Sequence, residues 1–301
     1  MDPLLIPFGL GVGLLVGMTG IGGGSLMTPL LILVFGVKPL IAVGTDLAYA
    51  AATKTVGGYK HYRQKTVDFR LSGWMALGSV PAAIGGVYVL EALERSQGEE
   101  FDELLLTLLG AALLFTGAMT LARALFLKRL VDRERETIDL KPWHKAAAVA
   151  LGVFVGFVLG ITSAGSGALI AVGLILIFQL VPTRVVGTDI FHAALLLWAA
   201  AAAHIVAGNV DWALAGTILI GSVPGVWLGS HLSVRLPTAT LRTVMAVVLL
   251  GSGLGLLSKA GLGIPTWVLA AFPGVVALLA GAQWQLRRRR ARAAEPTKAP
   301  T

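Results

Sequence analysis

Residues 17–86 of this chain recur at residues 160–229 with a constant offset of 143 and no gap, and 26 of the 70 aligned positions are identical. The identities include Gly22/Gly165, Gly24/Gly167, Pro39/Pro182, His61/His204 and Asp68/Asp211. Two runs repeat intact: Gly44-Thr45-Asp46 as Gly187-Thr188-Asp189, and Gly78-Ser79-Val80-Pro81 as Gly221-Ser222-Val223-Pro224. One module is written twice. Whatever the chain folds into must accommodate two similar halves.

Composition says where those halves lie. The chain is 56% hydrophobic and 13% charged, too little polar residue to cover a water-facing surface. It belongs in lipid. Eleven apolar stretches fall near 4–20, 25–36, 40–62, 71–92, 103–127, 145–161, 167–181, 184–207, 212–234, 239–258 and 264–286. Because a helix needs about 20 residues to cross the hydrocarbon, the longer stretches read as full spans and the short ones beside glycines as half-helices. Met1-Asp2-Pro3 lacks a basic leader, so residues 4–20 read as a membrane segment and not as a cleavable signal. With no cysteine there is no disulfide framework, thiol nucleophile or thiolate metal site. Of the net charge of +8, Arg287, Arg288, Arg289, Arg290, Arg292 and Lys298 less Glu295 contribute +5 after the last span. That tail reads as a cytoplasmic anchor, and no nucleic acid is expected as a partner. In lipid, a duplicated module is the signature of a transporter whose site lies at the repeat interface.

Charge also orients the halves. The loop from Arg63 to Arg70 is basic (Arg63, Lys65, Arg70), whereas the stretch from Glu91 to Glu103 holds six acids against Arg95. The first reads as cytoplasmic and the second as external. A basic linker from Arg123 to Lys145 is cytoplasmic by the same rule. In the second half, residues 207–211 carry no Lys or Arg, while Arg235, Arg242 and the tail are basic. The bias has changed sides, as an inverted repeat requires. The expected fold is all-α: a polytopic transmembrane helical bundle of two inverted repeats, each with a glycine-broken helical hairpin. It would have seven full spans and two hairpins, with the N-terminus outside and the C-terminus in the cytoplasm. The organisation reads as a first repeat over 1–128, a cytoplasmic linker over 129–144, a second repeat with a final helix over 145–286, and a basic tail over 287–301.

Two glycine clusters interrupt the apolar pattern: residues 17–25, Gly-Met-Thr-Gly-Ile-Gly-Gly-Gly-Ser, and residues 160–167, Gly-Ile-Thr-Ser-Ala-Gly-Ser-Gly. Consecutive glycines break a helix and free backbone N–H groups. At membrane depth a water-lined cavity or a bound anion would satisfy those groups, and the helix starting at Ser25 would present its positive end. The alternative is that the glycines serve close helix packing. The candidate substrate-binding set is Thr19, Gly22, Gly23, Gly24, Ser25, Thr45, Thr162, Ser163, Gly165, Ser166 and Thr188. Neither cluster precedes Gly-Lys-Ser/Thr, so neither is a nucleotide loop, and coupling to an ion gradient is expected in place of ATP.

Gly22-Gly23-Gly24 followed by four residues and Pro29, then Gly44-Thr45-Asp46-Leu47, with a weaker second copy, resembles the sulfite exporter TauE/SafE family, also called the toluene-sulfonate uptake permease family. The resemblance covers about residues 8–258. It implies a prokaryotic plasma-membrane transporter of sulfite, sulfoacetate, sulfolactate or similar small anions, coupled to protons. The second copy departs from the pattern with Val172 for Pro29 and Ser166 for Gly23, so the two half-sites should differ.

Asp46 and Asp189 stand near the starts of long apolar segments, where a carboxylate is either a proton or ligand site or a helix cap. His192, three residues after Asp189, is placed to share a proton with it. Lys54 lies about 12 Å beyond Asp46 along a helix and reads either as a buried cation attracting anions or as a side chain snorkelling to the surface. Arg184 reads as an interfacial anchor. His61 and His204 either gate access or hydrogen-bond Asp68 and Asp211 in structural turns. No His/Glu cluster has metal-ligand spacing and no Ser-His-Asp order suits catalysis, so neither metal, cofactor nor enzymatic activity is expected. A scaffold would have no use for paired helix breaks. The expected partners are a small anionic substrate, protons and the lipid bilayer, and the sequence leaves room for a homodimer.

Overall fold

The structure is a computed structural model that describes residues 4–19, 24–125, 135, 136, 138–233 and 238–265, with 267, 268, 271, 272 and 274. The described part is helical throughout, with α1 (Leu5–Thr19), α2 (Gly24–Val34), α3 (Pro39–Arg63), α4 (Phe69–Gln97), α5 (Phe101–Leu125), α6 (Pro142–Thr162), α7 (Ser166–Leu176), α8 (Pro182–Val206), α9 (Trp212–Ser233) and α10 (Thr238–Lys259). A 3-10 turn over Gly98–Glu100 joins α4 to α5. Among the described residues the only strand-like pairing is a bridge between Arg135 and Leu180. The basic tail and most of the final apolar stretch lie outside the described residues.

The offset of 143 maps α1 to α6, α2 to α7, α3 to α8, α4 to α9 and α5 to α10. Matching residues start and stop these helices. Pro39 and Pro182 open α3 and α8 at the first turn, where the missing N–H costs nothing. Asp68 accepts the Leu71 N–H at 3.0 Å at the start of α4, and Asp211 accepts the Leu214 N–H at 2.9 Å at the start of α9. Six helices, α4, α5, α6, α8, α9 and α10, are long and apolar enough to cross a membrane. The 25-residue α3 is long enough but more polar, since Asp46, Lys54, Lys60 and Arg63 lie on it. At 15 and 11 residues, α1 and α2 are about 22 and 16 Å long, short of a hydrocarbon core of about 30 Å.

Glycine ladders set the tightest contacts. A Cβ on Gly9, Gly13 or Gly17 of α1 would strike the backbone of Ile218, Ser222 or Val226 of α9. One offset later, Gly152, Gly156 and Gly160 of α6 stand in the same way against Met75, Ser79 and Ala83 of α4. Residue numbers rise together in each pair, so these helices run parallel, backbone on backbone. α3 and α8 run antiparallel instead, with Gly44 against Asn209, Gly58 against Phe191 and Gly187 against Thr66. α5 and α10 do likewise, with Gly110 against Leu257 and Gly117 against Leu250. Equivalent residues meet at both antiparallel crossings. Trp198 Nε1 donates to Thr55 Oγ1 at 2.8 Å, and a Cβ on Gly110 or Gly253 would lie 3.0 Å from the other's carbonyl oxygen. Only residues beside a pseudo-two-fold axis can touch their own repeat-mates, so the axis passes through these two crossings, across the helices.

Candidate functional site

The break between α6 and α7 carries the first functional side chain. Ser163 ends α6 in the left-handed region at φ 57°, and Gly165 follows at φ 103°. For a residue with a side chain this conformation costs on the order of 1–2 kcal/mol and needs compensation. Ser163 finds it in α3, where its hydroxyl donates to Asp46 Oδ2 at 2.9 Å. Thr28 of α2 donates to the same oxygen through Oγ1 at 2.6 Å and through its backbone N–H at 3.3 Å. The two hydroxyl oxygens are themselves 2.6 Å apart. Asp46 is wholly buried, and its other oxygen, Oδ1, has no hydrogen-bond partner. Nearby the Gly165 N–H donates to Ser25 Oγ at 3.4 Å. Side chains of both halves thus converge on one carboxyl at the broken helices.

The repeated Gly-Thr-Asp run divides its labour. Gly44 lets α3 touch the Asn209 backbone, and Thr45 Oγ1 accepts the Asp211 N–H at 3.0 Å. Gly187 touches Thr66, and Thr188 Oγ1 accepts the Asp68 N–H at 2.9 Å. Glycine and threonine lock each half onto the other's loop, which leaves the aspartates free to face inward. Neither aspartate is a helix cap: the residues preceding α3 and α8 are Lys38 and Val181, and Asp46 and Asp189 lie two turns inside.

Asp189 has different company. It is buried with Oδ1 unpartnered, and Lys54 and Arg123 lie close enough for their charges to act on it. Lys54 is only 6% exposed, so it does not snorkel. Arg123, read from the sequence as the first charge of the linker, stands in the last turn of α5, with Nε buried and unpartnered. The only signal for it was its position inside the apolar stretch 103–127. The two half-sites are unlike because their surroundings are not repeated: Thr28, Ser163 and Lys54 correspond to Ala171, Gly20 and Leu197.

Other expectations change. His192 does not pair with Asp189; its Nε2 lies 3.1 Å from Ser79 Oγ and its Nδ1 3.5 Å from Ser72 Oγ, which tie α8 to α4. His61 Nδ1 contacts Thr66 Oγ1 at 2.9 Å and His204 Nε2 meets the Gly160 carbonyl at 3.2 Å, so neither bonds Asp68 or Asp211. Arg184 donates to the Val67 carbonyl at 3.0 Å and bolts α8 to the α3–α4 loop instead of anchoring at the interface. Thr162 Oγ1 turns back onto the Val158 carbonyl at 2.6 Å. Gly24 opens α2. Gly22 and Gly23, and the side chains of Thr19 and Ser166, lie outside the described residues. Among the described residues no group of three or more His, Asp or Glu is placed to hold a metal ion.

Membrane-length helices in two like halves, with buried carboxyls where helices break, define a multi-pass membrane transporter. The chain belongs to the sulfite exporter TauE/SafE family, whose pattern it matches over residues 5–256. It is 42% identical over 260 residues, 85% of this chain and 100% of the relative, to a Bacillus subtilis protein named "Probable membrane transporter protein YjnA". Two further B. subtilis proteins with the same style of name, YunE and YdhB, are 25% and 28% identical, each over 82% of this chain and over 94% and 96% of their own lengths. No solved structure gives a significant match.

Proposed function

We propose that this chain is a proton-coupled secondary transporter that exports sulfite, sulfoacetate or similar small anions across the plasma membrane by alternating access, with its C-terminus in the cytoplasm. The observation that carries the proton is the triangle of Asp46, Thr28 and Ser163. Three oxygen contacts of 2.6, 2.6 and 2.9 Å call for three hydrogens, and two hydroxyls supply two. A proton on Asp46 completes the ring. Contacts this short leave no room for a sodium ion among the oxygens, because ligands around one cation spread further apart. Lys54 and Arg123 supply the attraction for an anion, with Asp189 as their resting counter-charge. The antiparallel pairing of α3 with α8 and of α5 with α10 supports inverted halves, which can rock about a central site.

The deciding experiment is flux in liposomes containing the purified protein, offered sulfite, sulfonates and carboxylates with and without a pH gradient. Gradient-dependent movement of sulfite or a sulfonate is the expected result; movement of none of them, or indifference to the gradient, would refute the reading. In the same assay Lys54→Met should raise the half-saturating anion concentration about tenfold or more, the loss of one charge-assisted contact. An unchanged value would remove Lys54 from the anion site. Inversion is checked separately in this cysteine-free chain. Arg63→Cys and Val206→Cys, at exposed and equivalent helix ends, should be labelled by an impermeant maleimide from opposite sides of the membrane. Labelling from one side would exclude inverted halves.

A further inference from the structure

A second polar cavity lies well away from Asp46. It occupies about 470 Å³ between the starts of α4 and α6 and is lined by Arg70, Trp74, Asp139, Leu140, Lys141 and Lys145. Three cations face one acid, a local charge of +2. Lys145 Nζ stands 5.1 Å from the centre of the Trp74 ring, which fixes its ammonium without neutralising it. Because α4 and α6 are parallel neighbours, both bring their positive ends to this cavity, at Phe69 and Pro142. An anion is the complementary occupant.

The surroundings say which anion. Phe69 and Trp143, 47% and 55% exposed, flank the cavity in the first turns of the two helices, beside the lining Trp74. Aromatic side chains at this position mark the level of lipid headgroups, and basic clusters mark the cytoplasmic leaflet. The cavity is not a by-product of the repeat. In the other half Arg70 and Trp74 are replaced by Ala213 and Thr217, and Lys141 falls before the chain begins. We infer that this cavity binds the phosphate of an anionic phospholipid from the cytoplasmic leaflet, held by Arg70 of the first half and by Lys141 and Lys145 of the second. A headgroup seated there bridges the two halves on one face only.

The test is lipid occupancy of the purified full-length protein by native mass spectrometry, with phosphatidylglycerol, phosphatidylcholine and inorganic phosphate offered separately. The expected result is retention of phosphatidylglycerol over phosphatidylcholine, with an affinity that falls about tenfold or more in Arg70→Gln/Lys141→Gln/Lys145→Gln. Asp139→Asn removes the opposing charge and should tighten phosphatidylglycerol binding about two- to threefold, which keeps the inference testable if the triple variant folds poorly. Equal retention of the two lipids, or Asp139→Asn without effect, would overturn it. Inorganic phosphate competing at millimolar concentration with no preference between lipids would assign the cavity to a soluble anion and would equally overturn the lipid site.

Discussion

Asp46→Asn should abolish uphill, pH-driven accumulation of substrate while leaving exchange of substrate for substrate within a few-fold of the native rate. The amide is close to isosteric with the acid, and its N–H can supply the third hydrogen of the Thr28–Ser163–Asp46 ring. The variant therefore imitates one protonation state and cannot leave it. Folding should survive, because no buried contact of the ring is lost and no unpaired charge is created. Thr28→Val is the complementary change. It removes one edge of the ring and a donor to Asp46, so it should weaken coupling partially and cost about 1–3 kcal/mol of stability for the partner left unsatisfied. Normal accumulation by Asp46→Asn, measured in liposomes with an imposed pH gradient, would move the proton elsewhere. A variant that fails to fold would point to a structural role for the carboxyl, and circular dichroism separates the two outcomes.

What the sequence disclosed and what it hid follow from one physical fact: duplication preserves what both halves need. The residues identical in the two copies are mostly those that hold the fold together. Thr45 and Thr188 tie loops across the repeat boundary, Asp68 and Asp211 cap α4 and α9, and the first glycine of each cluster, Gly17 or Gly160, is a rung of a packing ladder. Helix positions and the interior aspartates were legible because hydropathy and a charge in an apolar segment are local properties. The asymmetric parts were not. Thr28 was invisible because a threonine in an apolar segment signals nothing until α2 lies beside α3, and Arg123 because a cation near a basic linker looks like part of it. Histidine partners failed for a related reason. Spacing along a helix suggested Asp189 for His192, yet the serines of α4 are nearer in space.

The ladders carry the other large expected effect. Gly156→Val should nearly eliminate folded protein, since a Cβ there would meet the Ser79 carbonyl and lie 2.7 Å from Ser79 Cα, a distance that only moving a helix can relieve. Overpacking of a close interface costs about 1–3 kcal/mol when neighbours can adjust, and here the neighbour is backbone. The damage should spread, because Ser79 also holds His192 of α8. Gly13→Val, the equivalent change against Ser222, should fail to a similar degree. Gly73→Ala on α4 is the contrast: nothing lies within 4 Å of the point where its Cβ would stand, so the better helix former should be neutral or stabilising by up to about 1 kcal/mol. Yield and thermal midpoint in detergent measure all three. If Gly156→Val and Gly73→Ala behaved alike, α4 and α6 would not be packed backbone on backbone. The parallel pairs α1–α9 and α4–α6 join opposite halves of the repeat, so that result would also remove the rigid units that must move together when the halves rock.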